Sequence, residues 1–197
     1  LNPILNSFQQ CVKRYKIDHE LIAAFLKSME MDLEKNNYSQ EEYEKYILGS
    51  AEVVGLMCLK VFVNGDEKKY ETLKPQAMKL GSAFQKINFL RDLNADYKEL
   101  GRTYFPGVDL RNWDEPTKQR VEADIQLDFD EAYSGITQLP RKSRLGVYVA
   151  YIYYYALFRK IKGLPCNQIL DERVRIPNSR KFALFFKSYL LHRLNIL

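Results

Sequence analysis

Gln85-Lys-Ile-Asn88-Phe-Leu-Arg91-Asp92-Leu-Asn-Ala-Asp96-Tyr-Lys-Glu-Leu-Gly101-Arg102-Thr-Tyr104-Phe-Pro106 carries the strongest helical pattern of this sequence. At ~100° per residue, Gln85, Asn88, Asp92 and Asp96 fall in a stripe about 80° wide on a helix. Leu80, Ala83, Ile87 and Leu90 fall on the opposite side, so this helix has an apolar back and a polar front. Two carboxylates one turn apart with an amide oxygen suit a hard cation such as magnesium, which takes oxygen ligands and shares them with substrate phosphates. A lone Asp-x-x-x-Asp is more often solvated surface, because carboxylates normally face water.

Here the pair is joined to more than chance spacing. Arg91 and Arg102 flank it, and the run closes on Gly101-Arg102-x-Tyr104-x-Pro106. The whole string resembles the second aspartate-rich motif of the squalene and phytoene synthase family. Upstream, Tyr46-Ile-Leu-Gly49-Ser50-Ala51-Glu52-Val53-Val54-Gly55-Leu-Met57 is similar to that family's Tyr-x-x-x-Val-Ala-Gly-x-Val-Gly helix. By itself such a run of small residues reads as tight helix packing, since Gly inside a helix costs about 1 kcal/mol relative to Ala and needs a packing reason. Near the end, Tyr154, Glu172-Arg173-Val174 and Lys181 resemble the family's closing tyrosine helix, Arg-Val segment and basic position, with Tyr155 the alternative for the tyrosine. The resemblance runs from Asn2-Pro3-Ile4 to about Leu190, and its wording is nearest to bacterial phytoene synthases.

The resemblance implies an all-α, single-domain isoprenoid (terpenoid) synthase bundle around a central cavity. It also implies head-to-head condensation of two isoprenoid diphosphates, with geranylgeranyl diphosphate giving phytoene for carotenoid biosynthesis. Farnesyl diphosphate condensation to dehydrosqualene or squalene is the alternative. A non-catalytic binding or assembly module on the same fold is the alternative of another class. Under the resemblance Asp92 and Asp96, assisted by Asn88, ligate Mg2+, with Mn2+ possible, and NADPH enters only if squalene is the product. Tyr46 joins the aspartates as catalytic. Gln85, Tyr154, Arg173 and Lys181 position diphosphate or substrate. Gly49, Ala51, Val53 and Val54 line the tunnel, and Arg91, Arg102 and Tyr104 are structural or ion-pair residues.

Three departures stand out: Glu52 where the pattern has glycine, Lys86 where a neutral residue is usual, and Ala95 where an acid often precedes the last aspartate. Family members also carry a first Asp-x-x-x-Asp upstream of the Asn-Pro-Ile segment, and Glu30, Asp32 and Glu34 do not match it. Residues 1–197 are therefore expected to be the C-terminal two-thirds of one such domain, catalytically weak or dead without the upstream helices.

Composition is consistent with this reading. The chain has 197 residues, 46% hydrophobic and 28% charged, as a folded domain of ordinary size does. Cys11, Cys58 and Cys166 are far apart and odd in number, which favours a reduced cytosolic setting and excludes a Cys-x-x-Cys zinc site. With only His19 and His192 as histidines, a metal site must be built from oxygen. The net charge of +5 favours polyanionic partners, ranked diphosphate, then membrane surface, then nucleic acid, for which no signature exists. Localisation is expected to be cytoplasmic with peripheral membrane contact, because the longest uncharged run, Leu145 to Phe158, is too short to span a bilayer.

Punctuation supplies the helix boundaries. Asn2-Pro3 fits a cap and first-turn proline, Asp18 opens a second helix, and Ser39 with Glu42 forms a capping box. Pro75 is expected to interrupt the helix that later carries the aspartates. Further helices are expected from Asp114-Glu-Pro116, after Pro140 and near Ser179. Tyr148, Tyr151 and Tyr155 share one stripe, with a strand over Val147 to Tyr153 the competing reading.

Overall fold

The computed structural model describes residues 2–34, 38–100, 104–108, 113–171 and 173–196, with side chains for all of these but 34, 96–100 and 171. The helices are α1 (Pro3–Tyr15), α2 (His19–Glu34), α3 (Gln40–Ile47), a π-helical turn (Leu48–Glu52), α4 (Val53–Phe62), α5 (Glu67–Leu100), α6 (Glu115–Gln138), α7 (Arg141–Lys162), α8 (Cys166–Asp171) and α9 (Asn178–Arg193). No strand occurs among the described residues, so the competing reading of 147–153 as a strand is set aside: that segment lies inside α7.

Local chemistry sets the helix starts. Asn2 Oδ1 accepts from the amides of Ile4 and Leu5 at 2.9 and 3.3 Å, satisfying orphan donors of the first turn. Ser39 and Glu42 form the reciprocal capping box, and Asp114 caps α6 through the Thr117 amide at 2.9 Å.

Helix α5 is the axis of the molecule. It contacts α3, the π turn, α4, α6, α7 and α8. At 34 residues it is about 51 Å long. It continues through Pro75, contrary to the interruption expected at that residue. Proline in a helix interior costs about 3 kcal/mol. The turns around it bury Tyr70 and Leu73, which join Leu56, Leu59, Val63 and Leu139 in one apolar cluster. Each large side chain so buried contributes about 1.5–3 kcal/mol, enough together to hold the helix through the break. The main core gathers around the other half of α5, where Ala83, Ile87 and Leu90 meet Ile125 and Phe129 of α6 and Phe158 and Ile161 of α7, all of them fully buried.

One polar knot lies within this apolar frame. Asp128 of α6, its side chain 2% exposed, accepts from Lys79 Nζ at 2.9 Å, Ser82 Oγ at 2.6 Å and Lys86 Nζ at 2.7 Å. Lys86 also pairs with Asp124 at 2.5 Å. This accounts for a charged residue at position 86: it clamps α5 to α6. Burial pushes the Asp128 carboxyl upward, but the bonds from Lys86, Ser82 and Lys79 outweigh it, and the net shift is below the usual carboxylate range.

A carboxylate with a depressed pKa adds stability that is complete above its unfolded value of about 3.9 and is lost as pH falls through the folded value. Asp128→Asn should therefore cost about 3 kcal/mol at neutral pH, because it takes from the buried Lys86 ammonium one of its two carboxylates and breaks the Lys79 and Ser82 contacts. It should also flatten the loss of stability below about pH 4. Thermal melts from neutral to acid pH measure both, with an expected drop of roughly 6–12 °C at neutral pH.

Candidate active site

The buried back of α5 dictates the direction of its front. With Ala83, Ile87 and Leu90 fully buried, Gln85, Asn88 and Asp92 turn the other way and remain partly accessible. Leu80 packs against the same core and also lines the cavity described below.

Asp92 is gripped by two guanidinium groups. Arg91 reaches Oδ1 with Nε at 3.0 Å and Oδ2 with Nη2 at 2.5 Å. Arg173 reaches Oδ1 with Nε at 2.7 Å and Oδ2 with Nη2 at 3.4 Å. The Arg173 contact spans 81 positions in sequence and is set up by an alternating segment. Val174 and Ile176 point into the core, so Arg173 and Arg175 point out, and Lys160 Nζ holds the Arg175 carbonyl at 2.9 Å. The hydrogen bonds that Arg91 donates to Asp92, ahead of a smaller burial penalty, raise the pKa of Arg91 still further, so this cation is permanent.

Helix α7 closes the other side. Tyr154 stacks on Phe84 with centroids 4.1 Å apart, and its hydroxyl donates to Asn88 Oδ1 at 3.3 Å. Tyr155 faces away, stacked on Tyr151 and edge-on to Phe129. Of the two candidate tyrosines, Tyr154 is the one beside the polar stripe.

Behind the stripe lies an apolar cavity of about 390 Å³ walled by the π turn, α4, α5, α6 and α7. Its α5 wall runs from Leu73 to Gln85, about 18 Å of helix, and reaches the stripe at Phe84 and Gln85. Such a volume lies in the ordinary range of small-molecule sites. Glycines make the walls thin where helices cross. A Cβ on Gly81 would lie 2.6 Å from the Ala51 carbonyl oxygen, one on Gly55 2.7 Å from that of Ala77, and one on Gly135 2.4 Å from Gln76 Cβ.

The expected wall residues divide. Ala51 and Val54 line the cavity. Gly49 and Val53 do not: a Cβ on Gly49 would strike Ala24 O at 2.6 Å, so this glycine seats the π turn on α2, and Val53 is buried in the packing away from the cavity. Glu52, where glycine was the pattern, is half-buried, and burial followed by the Asp128 charge pushes its carboxyl up.

Tyr46 lies near the end of α3. It is 4% exposed, donates its hydroxyl to Asp32 Oδ2 at 2.8 Å and packs among Tyr38, Phe89 and Tyr104. Tyr104 is stacked on Phe89 at 4.0 Å, in keeping with a structural role. Burial first and the Asp32 bond second hold the Tyr46 proton on at any working pH, so this phenol acts as a donor. The sequence carries no local signal for Asp32, because the cluster of Glu30, Asp32 and Glu34 matches no motif. The partner of Asp32 lies 14 residues away, beyond any local spacing signal. Lys181 is exposed, its Nζ 5.4 Å above the Tyr153 ring. The side chain of Asp96 and the whole of Arg102 lie outside the described residues.

Magnesium prefers oxygen donors, and the described part of the stripe offers the Asp92 carboxylate and the Asn88 amide oxygen. No group of three or more His, Cys, Asp or Glu side chains converges among the described residues. The donor type fits a hard cation, with Asp96 one turn further along the same helix.

A 34-residue helix with a polar front, an apolar cavity behind it and an all-helical frame define a class of fold. Residues 1–180 match the squalene/phytoene synthase family, and the chain belongs to it. Among its relatives, phytoene synthase 1, chloroplastic, of Zea mays is 28% identical over 189 residues, covering 86% of this chain and 45% of the relative. The Arabidopsis thaliana phytoene synthase 1, chloroplastic, is 27% identical over 191 residues, covering 87% and 44%. The chain thus spans about half the length of the curated relatives it matches. The fold is shared with squalene synthase HpnC from Alicyclobacillus acidocaldarius, at a TM-score of 0.70 and 20% identity over 82% of this chain and 66% of that one. It is shared equally with YisP from Bacillus subtilis, at 0.71 and 18% over 90% and 75%.

Gly81→Ala should push α5 off the π turn at a cost of about 1–3 kcal/mol. Ala51→Phe should instead fill the cavity with little change in melting temperature. The check is a thermal melt of each variant beside titration with an apolar fluorophore, whose binding Ala51→Phe should abolish.

Proposed function

We propose that this chain is the greater part of a prenyltransferase that joins two isoprenoid diphosphates head to head, with geranylgeranyl diphosphate as substrate and phytoene as product. The observation that carries the reading is the Arg91–Asp92–Arg173 cluster, about two helical turns along α5 from Gln85, the last wall residue of the apolar cavity. An amphiphile with an anionic head and a long hydrocarbon tail matches both parts at once. Family membership and the phytoene synthases among its relatives support the same reaction class and favour phytoene.

The chain's own residues divide the work as follows. Arg173, half exposed, exchanges Asp92 for diphosphate oxygens, for which a guanidinium fork is suited. Arg91 stays on Asp92 and fixes its orientation. Tyr154 and Asn88, held to one another, define the passage from head to tail. Asp92, Asp96 and Asn88 are the residues that would hold magnesium, or manganese in its place, and the ion would neutralise the leaving diphosphate. Once the allylic C–O bond breaks and diphosphate departs, the cavity wall keeps water from the carbocation until the double bond of the second prenyl chain forms the new C–C bond and a proton is lost. Departure of the second diphosphate from the cyclopropyl product leaves a second carbocation, which rearranges and loses a second proton to give phytoene, or takes hydride to give squalene. NADPH is required only if the product is squalene.

The test gives the full-length protein farnesyl or geranylgeranyl diphosphate with magnesium, with and without NADPH, followed by identification of the hydrocarbon. Phytoene from the C20 substrate is expected. Asp92→Asn should lower kcat by about 10²–10³. Arg173→Ala should mainly raise KM, by roughly tenfold or more as a charge-assisted contact is lost. Absence of hydrocarbon under every condition would leave a binding module on the same fold.

A further inference from the structure

Given the role proposed for Arg173 in holding diphosphate, we propose that Glu115, Lys118 and Glu122 of α6 are its positioning residues. Arg173 lies on the connection between α7 and α9, and its bonds to Asp92 form only if the backbone of that connection is fixed. The apolar side chains there, Ile169, Val174 and Ile176, are all buried. Such burial resists pulling the segment off the core but has no direction, so by itself it leaves the segment free to slide. A guanidinium whose Nε meets Asp92 Oδ1 at 2.7 Å loses that bond with a displacement of about 1 Å. Directional contacts are needed to hold it.

Two ties from α6 supply them. Lys118 Nζ donates to the carbonyl of Lys162, the last residue of α7, at 3.3 Å. Glu115 Oε1 accepts from the amide of Cys166, the first residue of α8, at 2.8 Å. The two act as one unit, because Lys118 Nζ also lies 2.8 Å from Glu122 Oε1 and 3.8 Å from Glu115 Oε2. Each has the sign its helix end favours: an ammonium at the carbonyl end of α7 and a carboxylate at the amide end of α8. Helix α8 then runs from Cys166 to Asp171, two residues before Arg173, with Ile169 fully buried. Beyond Arg173, the bond from Lys160 Nζ to the Arg175 carbonyl fixes the far side. The burial of the Lys118–Glu122 pair, with side chains 3% and 4% exposed, separates this role from simple stability. A buried ion pair offsets its own desolvation poorly, and apolar residues of similar volume often stabilise a fold as well or better. Apolar residues cannot aim a donor at one carbonyl.

The test is calorimetric titration of the full-length protein with inorganic diphosphate in the presence of magnesium, beside a thermal melt and KM and kcat for geranylgeranyl diphosphate. Glu115→Ala should weaken diphosphate binding about fivefold, the contribution of one hydrogen bond, whereas Glu115→Gln keeps the acceptor oxygen and should bind like the parent. Lys118→Met/Glu122→Leu should weaken binding roughly tenfold, as loss of an orienting contact does, with the melting temperature unchanged or raised. KM should rise in step while kcat stays within about twofold. In an Arg173→Ala background neither change should weaken binding further, because the residue they position is gone. Glu115 is half exposed, so its variants serve alone if the buried pair cannot be replaced without loss of fold. Variants that bind diphosphate like the parent, or whose losses add to that of Arg173→Ala, would overturn the proposal. The expected pattern in a protein that makes no hydrocarbon would leave it standing and remove only the prenyltransferase reading. Phytoene synthesis left unaltered by Glu115→Ala and by Lys118→Met/Glu122→Leu would do the reverse.

Discussion

The near-contact of backbones between α5 and the run formed by the π turn and α4 is the constraint on which the site depends. Gly81 lies against the Ala51 carbonyl and Gly55 against that of Ala77, so each helix supplies the gap that the other fills. This close crossing brings the inward residues of α5 beside Ala51 and Val54, and the cavity is what remains between them, α6 and α7. The same α5 carries Asn88 and Asp92 beyond the end of the cavity. One helix therefore sets both the wall that meets hydrocarbon and the group that meets charge.

The α5–α6 interface adds the opposite kind of constraint. Asp128 draws Lys79, Ser82 and Lys86 to one point in an otherwise apolar interface. Hydrophobic burial has no direction, whereas a carboxylate with three donors fixes rotation and register, because any slide of α5 leaves a buried charge without its partner. Gly135 crosses Gln76 further along the same interface, so α6 is pinned by charge in one place and by close approach in another.

Much of this was legible in the chain. The Ser39–Glu42 box, the Asn2-Pro3 start, the polar stripe and its buried back all follow from signals within one or two turns. What was not legible is long-range or steric. The partners Asp32 and Tyr46, Arg173 and Asp92, and Lys79 and Asp128 are brought together by packing alone. The run of small residues at 49–55 was visible, but not that Gly49 serves α2 while Gly55 serves α5. Pro75 misled because the local rule for proline is outweighed by the burial of Tyr70 and Leu73. The short α8 escaped notice because six residues carry too little periodicity.

The π turn at Leu48–Glu52 carries a further implication for how such sequences can change. A turn of this kind accommodates one residue more than the α-helix on either side of it. Loss of a single residue between 48 and 52 would therefore let α3 and α4 merge into one regular helix in which Val54 and Gly55 keep their directions toward the cavity and Ala77. A one-residue deletion elsewhere in α4 would instead turn everything after it by ~100°. The π turn is thus the place in this run where a change of one residue in length is absorbed without moving the cavity wall.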